Sequence, residues 1–244
     1  MIDVRAFAVG PIQENAYIVR ANVDAQRAVI VDPGEEPQRL LDAARALGVE
    51  IEAILVTHCH FDHIGAVAPV AEATGAPVYC PEAEAPVLAD ITKWTMSGFG
   101  PFESWNAEHT VKGGERLELA GLDIEVLFTP GHSPGHVTYA ISPSESVRGG
   151  HQEPAARAGS GDAAEALLSG DVLFQGSVGR VDLPGGDWPT LERSIAELMG
   201  RFARETTVYP GHMGVTTLGR EWDANPFLSD LRVGTPERER PRVL

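Results

Sequence analysis

Apolar positions fall into short alternating runs early in the chain, with helical spacing between them. The segments "VRAFAV", "NAYIVRA" and "QRAVIVD" are apolar and β-branched runs parted by Gly, Pro and Asn, the pattern of short strands and hairpins. In "PGEEPQRLLDAARALG", Leu40, Leu41, Ala44 and Leu47 share one helical face, and Gly48 is placed to cap it. The run "IEAILV" reads as a buried strand, "IGAVAPVAEATG" as a helix ended by Gly75, and "APVYC" as a further strand. "RLELAGLDIEVLFTPGH" reads as a hairpin about Ala120-Gly121 that runs into a loop. "HVTYAIS" and "EALLSGDVLF" read as strands, and "TTVYPGH" as a strand entering a loop. "WPTLERSIAELMG" is a helix with Leu191, Ile195 and Leu198 in register. Several strands precede the first crossover helix. The expected class is therefore α/β in the mixed, α+β sense, with two mixed sheets and helices outside rather than one doubly wound sheet.

Two stretches lack this patterning. Residues 142–165, "SPSESVRGGHQEPAARAGSGDAAE", are rich in Ser, Gly, Ala, Pro and charge, and read as a flexible insertion between two strands. The tail 235–244, "TPERERPRVL", reads as a frayed end. Residues 1–234 are expected to form a single domain.

Composition narrows the partners. Of the 244 residues 43% are hydrophobic and 22% charged, which is ordinary for a globular protein. The net charge of −16, from 35 acidic against 19 basic residues, repels phosphate backbones and anionic lipid. Neither nucleic acid nor a membrane is expected as a partner, and nothing in the sequence sets an oligomeric state. The start "MIDVRAFAVG" lacks a basic segment followed by an apolar core, and two cysteines make no disulfide framework. A cytoplasmic location is expected.

Four polar signals share one habit, each standing where an apolar strand gives way to a loop. They are His58, His60, Asp62 and His63 in "THCHFDHIG", His132 in "FTPGHSPGH", Asp171 in "LLSGDVLF" and His212 in "VYPGHM". Rigid strands aim such loop residues at one place. In an extended segment His58, His60 and Asp62 share one face, and His63 joins another direction if the chain turns into a helix at Ile64. Burying four ionisable groups together without a metal is costly, so the cluster reads as a metal site. Imidazole and carboxylate suit zinc, or alternatively iron or manganese, and no thiolate closes the site. Cys59, between two ligand candidates, is expected to point away as filler. His109, His136 and His151 read as ordinary polar residues and are assigned no role.

The ordered set "THCHFDH", "PGHSPGH", "SGDVLF" and "PGH", with "IVDPG" at Ile30 to Gly34, resembles the metallo-β-lactamase-fold hydrolases from about residue 5 to 230. Within that superfamily, "SGDVLFQGSVGRVDLPGGD" and "TLGREWDANPFL" are similar to short bacterial glyoxalase II-like (hydroxyacylglutathione hydrolase-like) proteins. The resemblance implies a four-layer αββα sandwich with two divalent metal ions between loops at one edge of the sheets. It implies that His58, His60 and His132 bind one ion, that Asp62, His63 and His212 bind the other, and that Asp171 bridges them. Asp32 would brace the histidine loop from behind, together with Thr57.

The chemistry implied is hydrolysis. Two ions roughly 3.5–4 Å apart acidify a water between them, and Asp62 and Asp171 would position the resulting hydroxide for attack on a thioester or ester carbonyl. The oxyanion and departing thiolate are stabilised by positive charge. The expected substrate is a small molecule, an S-2-hydroxyacyl thiol. Larger glyoxalase II relatives add a C-terminal helical domain for glutathione, which is not expected after His212, so another thiol carrier is open. Arg180 of "GSVGRVD" is placed to meet a substrate carboxylate. Trp94, Phe99 and Phe102 of "WTMSGFGPFESW" either rim the cleft or pack against the body of the domain. The rival of the same fold is a persulfide dioxygenase with one iron on His58, His132 and Asp171; a lactonase or β-lactamase ranks below it.

Overall fold

The computed structural model describes residues 1–148 and 166–234. Strands β1 (Asp3–Val9), β2 (Glu14–Arg20) and β3 (Arg27–Val31) form an antiparallel meander. Three parallel strands extend it: β4 (Glu50–Leu55), β5 (Val78–Pro81) and β6 (His109–Val111). The crossovers are α1 (Pro37–Leu47), then α2 (Phe61–Ile64) with α3 (Val67–Thr74), then α4 (Ala85–Leu88).

The second sheet has strand order β14-β13-β10-β9-β8-β7. Its members are β7 (Arg116–Leu119), β8 (Leu122–Phe128), β9 (Val137–Pro143), β10 (Ala166–Gly170), β13 (Thr207–Pro210) and β14 (Thr216–Thr217). Among the described residues of this sheet, only β10 and β13 pair parallel. Between them run a ribbon of β11 (Leu173–Phe174) and β12 (Ser177–Val178), then α6 (Trp188–Arg201). A single turn, α5 (Glu145–Arg148), follows β9, and α7 (Leu218–Ala224) and α8 (Ser229–Gly234) follow β14.

The layers arise from the two-residue alternation of the strands. Tyr17, Val19, Val29, Val31 and Leu55 of the first sheet meet Leu122, Ile124, Val126, Tyr139 and Ile141 of the second in a common inner core. The alternate residues Ile18, Ile30 and Ile54 pack outward on Ala44 of α1 and on Val67, Val70 and Ala71 of α3. On the far side Leu127, Ala140, Leu167 and Val208 pack on Leu191, Ile195, Leu198 and Met199 of α6. The result is the αββα sandwich that the motifs implied. Among the described residues, no helix is long and apolar enough to cross a membrane.

Three expectations need correction. "EALLSGDVLF" is not one strand: β10 ends at Gly170, where φ is +46°, and the chain turns at Asp171 before β11. "IGAVAPVAEATG" is not one helix: α2 begins earlier, at Phe61, and the chain breaks at Gly65-Ala66 before α3. Of the insertion at 142–165, residues 142–148 complete β9 and form α5; 149–165, with His151, lie outside the described residues, as does the tail 235–244.

Candidate metal centre

Five strands deliver their carboxyl ends to one edge of the sandwich. β3 leads into Asp32, β4 into Thr57 and His58, β8 into the loop carrying His132, β10 into Asp171 and β13 into His212. His60 stands at the N-terminus of α2 with extended backbone, and the helix begins with the next residue. That early start corrects the expected alternation. Asp62 rides the helix with His63 and parts from the face shared by His58 and His60.

Two donor sets result. His58 Nε2, His60 Nδ1 and His132 Nε2 lie 2.8–3.2 Å from one another. Asp62, His63 and His212 form the second, with His212 Nε2 3.4 Å from the Asp62 carboxylate. Asp171 stands between them. Its Oδ1 is 3.3 Å from His63 Nε2, and its Oδ2 is 3.5 Å from His132 Nε2 and 3.6 Å from His212 Nε2.

The donors fit a cation. His63 Nε2 and Asp171 Oδ1 are fully buried and make no hydrogen bond, a costly state for polar atoms unless a metal completes them. The hydrogen bonds behind the rings fix which nitrogens face inward. Asp32 accepts from the Thr57 amide (2.7 Å), the Thr57 hydroxyl (2.6 Å) and His63 Nδ1 (3.1 Å). With its proton given to Asp32, Thr57 Oγ1 accepts from His58 Nδ1 at 3.1 Å. His132 Nδ1 donates to the Arg180 carbonyl at 2.7 Å. His58 and His132 therefore present a bare Nε2 lone pair to the cleft, and His63, its Nδ1 held by Asp32, turns its Nε2 the same way. A third trio, Asp32, His58 and His63, also falls within 4.8 Å, but its Asp32 oxygens are already spent on these donors.

Electrostatics separate the donors. Burial, with the neighbouring rings, lowers His58 well below the ordinary imidazole value and His60 to about 4, so both are neutral. Burial alone would raise Asp171, but His63, His132 and His212 outweigh it and hold the carboxylate ionised. Asp62 is likewise lowered against its own burial by the hydrogen bond from His212 and the charge of His63.

Several buried residues around the centre had no sequence signal. His136, given no role on sequence grounds, is fully buried and stacks on His58 with ring centroids 4.9 Å apart. Its Nε2 accepts the Asp171 amide at 3.1 Å, which fixes the turn that aims that carboxylate. Glu14 lies 3.7 Å from His63 Nδ1 with neither oxygen hydrogen-bonded, and burial pushes its carboxyl well above the usual range. Glu84 is also buried, and its carboxylate bridges two loops of the centre. A polar residue surrounded by apolar ones in "ENAYIV" or "PEAEA" gives no periodic mark of its destination.

Of the residues expected to meet substrate, Arg180 has its guanidinium held bidentately by exposed Asp182, at 2.6 and 2.7 Å. Phe99 and Phe102 pack on Phe61, beside the His60–Asp62 turn, with centroids 4.8 and 6.1 Å away, and Trp94 is 55% exposed. Cys59 points away from the donors into the core, its sulfur 3.5 Å from that of Cys80.

Two interleaved donor sets joined by one carboxylate, at one edge of an αββα sandwich, define the metallohydrolase class of site. The chain belongs to the Metallo-beta-lactamase superfamily, whose pattern matches residues 9–144. It is 37% identical over 230 residues to "Probable metallo-hydrolase YqgX" of Bacillus subtilis, covering 92% of this chain and 97% of that one. It is 30% identical over 236 residues to "Hydroxyacylglutathione hydrolase GloC" of Haemophilus influenzae, covering 93% and 99%. Among solved structures, the BLEG-1 B3 metallo-beta-lactamase is 35% identical with a TM-score of 0.79, covering 93% of this chain and all of that one. TTHA1623 in a di-iron-bound form is 37% identical with a TM-score of 0.68, covering 92% and all of that chain.

Proposed function

We propose that this metallohydrolase cleaves thioesters, S-2-hydroxyacyl thiols foremost, at a centre of two divalent ions. The position of Asp171 carries the reading: one carboxylate faces both donor sets within 3.3–3.6 Å, as a bridging ligand must. His58, His60 and His132 would hold one ion, and Asp62, His63 and His212 the other. When bound, the ions supply Lewis acidity toward a carbonyl oxygen and an acidified water. Zinc suits this imidazole–carboxylate set; iron and manganese suit it as well, and the di-iron form of TTHA1623 supports iron.

The chain's own groups do the rest. Asp62 and Asp171, both ionised, are acceptors that orient the protons of the attacking water. The fixed rings behind them keep the donors in place, so little reorganisation accompanies the reaction. A thiolate leaves without help from a general acid, since a thiol has a pKa of about 8.5. The likeness to GloC supports a thioester, and the likeness to BLEG-1 favours a second reading, opening of a β-lactam ring.

A panel of thioesters, esters and a chromogenic β-lactam tests the choice, with metal content measured on protein purified without added metal or chelator. Two equivalents of metal and fastest turnover of a hydroxyacyl thioester are expected. His58→Ala and Asp171→Ala should each lower that turnover by at least about 100-fold and reduce bound metal. Full activity in both variants would sink the two-metal mechanism. One iron per chain, with oxygen consumed on a persulfide and no hydrolysis, would make the protein a dioxygenase instead.

A further inference from the structure

Glu84 is 5% exposed, yet it sits at the start of a surface turn, where a glutamate ordinarily faces solvent. It occupies the N-cap position of α4, but its side chain makes no capping bond to that helix. Its carboxylate reaches across the sandwich edge instead. Oε1 accepts the Ser133 hydroxyl at 2.7 Å and the Gly135 amide at 2.8 Å, and Oε2 accepts the Cys59 amide at 3.3 Å. Cys59 lies between His58 and His60, and Ser133 follows His132. One side chain thus grips both loops that converge on the all-histidine donor set, although the loops are more than seventy residues apart in sequence. The fit is close: a Cβ on Gly135 would stand 2.6 Å from Glu84 Cγ.

We propose that Glu84 is a positioning residue that sets the spacing of His58, His60 and His132, and so the affinity of that one metal site. The inference rests on the two-metal reading. Its chemistry requires a carboxylate. Three donors converge on two oxygens, and an amide in the same place keeps one acceptor while turning an N–H₂ toward a donor. The three groups that Glu84 holds all lie in the loops of His58, His60 and His132, and none belongs to Asp62, His63 or His212. The second site should therefore not feel its loss.

The test is Glu84→Gln, with Ser133→Ala as a milder variant that removes one of the three bonds. Zinc is removed stepwise from each by a competing chelator, with His132→Ala and His212→Ala as references for loss of either site. The expected result is a site weakened about 10–100-fold in Glu84→Gln. Its removal curve should follow that of His132→Ala, with the His212-dependent site unchanged and a smaller shift in Ser133→Ala. In metal-free protein, the imidazole nitrogen resonances of His132 and His60 should move in Glu84→Gln while those of His63 and His212 stay. Equal weakening of both sites, or no change at either, would overturn the proposal. Should the wild-type chain bind fewer than two ions, the two-metal reading fails; the metal-free resonances still decide whether Glu84 positions these rings.

Discussion

Asp32 decides which ring nitrogen two histidines offer. It sits at φ +47°, a backbone state made accessible by the "DPG" turn, and receives three donors on two oxygens. Its side chain does more than open the Pro-Gly turn: it holds both Thr57 and His63. In Asp32→Asn, the amide keeps one acceptor oxygen and turns hydrogens toward Thr57 or His63. Both donor sets lose an oriented ring, so metal affinity should fall about 10–100-fold at both sites, read by chelator competition. Loss at one site alone would refute the shared role. The same burial has a pH signature. His58, His60 and His136 are held neutral by burial, whereas in an unfolded chain they charge below about 6.5. As pH falls from 6.5 toward 4 the unfolded state binds more protons, so stability is lost over that window. His63 acts in a higher window: burial lowers it, but Asp171 and Asp32 raise it further, so its contribution is complete and constant below 6.5 and fades only as pH rises through its raised value. The neutral rings set the expected sign; Glu14, whose carboxyl burial raises, works against them as pH falls through its raised value toward 4.5. The melting temperature of metal-free protein should therefore drop between pH 6.5 and 4; a flat profile would show that these rings titrate normally.

At the level of elements, legibility tracks periodicity. Strand β8 and helices α1 and α6 show in the sequence because each buries one face and alternates or repeats accordingly, and strands β2 to β5 because runs buried on both faces stay largely apolar. The donors were legible for a different reason: a dense run of histidines has few bland explanations. Short α2 was not legible. Four residues give too little pattern to place a boundary, and that boundary decides which donor set Asp62 joins. The second loop is positioned by a helix rather than by its own sequence. Asp187, the N-cap of α6, donates its amide to the Gly131 carbonyl at 2.7 Å, and Ser194 Oγ donates to the Pro130 carbonyl at 2.7 Å. Gly131 has φ +129°, and a Cβ there would lie 2.2 Å from the Leu191 amide nitrogen. Gly131→Ala should cost about 1–3 kcal/mol in strain. It should push the loop off α6 and weaken the His132 site while leaving His212 in place. Thermal melting and zinc stoichiometry check both halves; a variant with unchanged values would mean that the loop tolerates the shift.

The whole molecule adds a long-range term that no single residue shows. The chain carries a net charge of −16, and near Phe102 and Gly65 a cavity of about 260 Å³ is lined by Glu35, Glu36 and Glu103. Arg180, the cation expected to greet a substrate carboxylate, is already paired with Asp182, whose own carboxyl is drawn down to about 2. The acidic surface should therefore repel an anionic thioester such as an acylated glutathione at long range, against the short-range pull that bound divalent ions would exert. A thioester of a neutral thiol is indifferent to that surface. Salt separates the two. The Debye length shrinks from about 30 Å at 0.01 M to about 8 Å at 0.15 M, which removes most of the repulsion between exposed charges. Across that range kcat/KM for the glutathione thioester should rise severalfold and that for the neutral thioester should stay level, with kcat constant for both. Asp182→Asn tests the local part of the argument: it frees the Arg180 fork and should lower KM for the anionic substrate more than for the neutral one. Equal salt slopes for the two substrates would show that the acidic surface does not reach the cleft. In that case any discrimination by substrate charge would have to arise from contacts at the donor sets themselves.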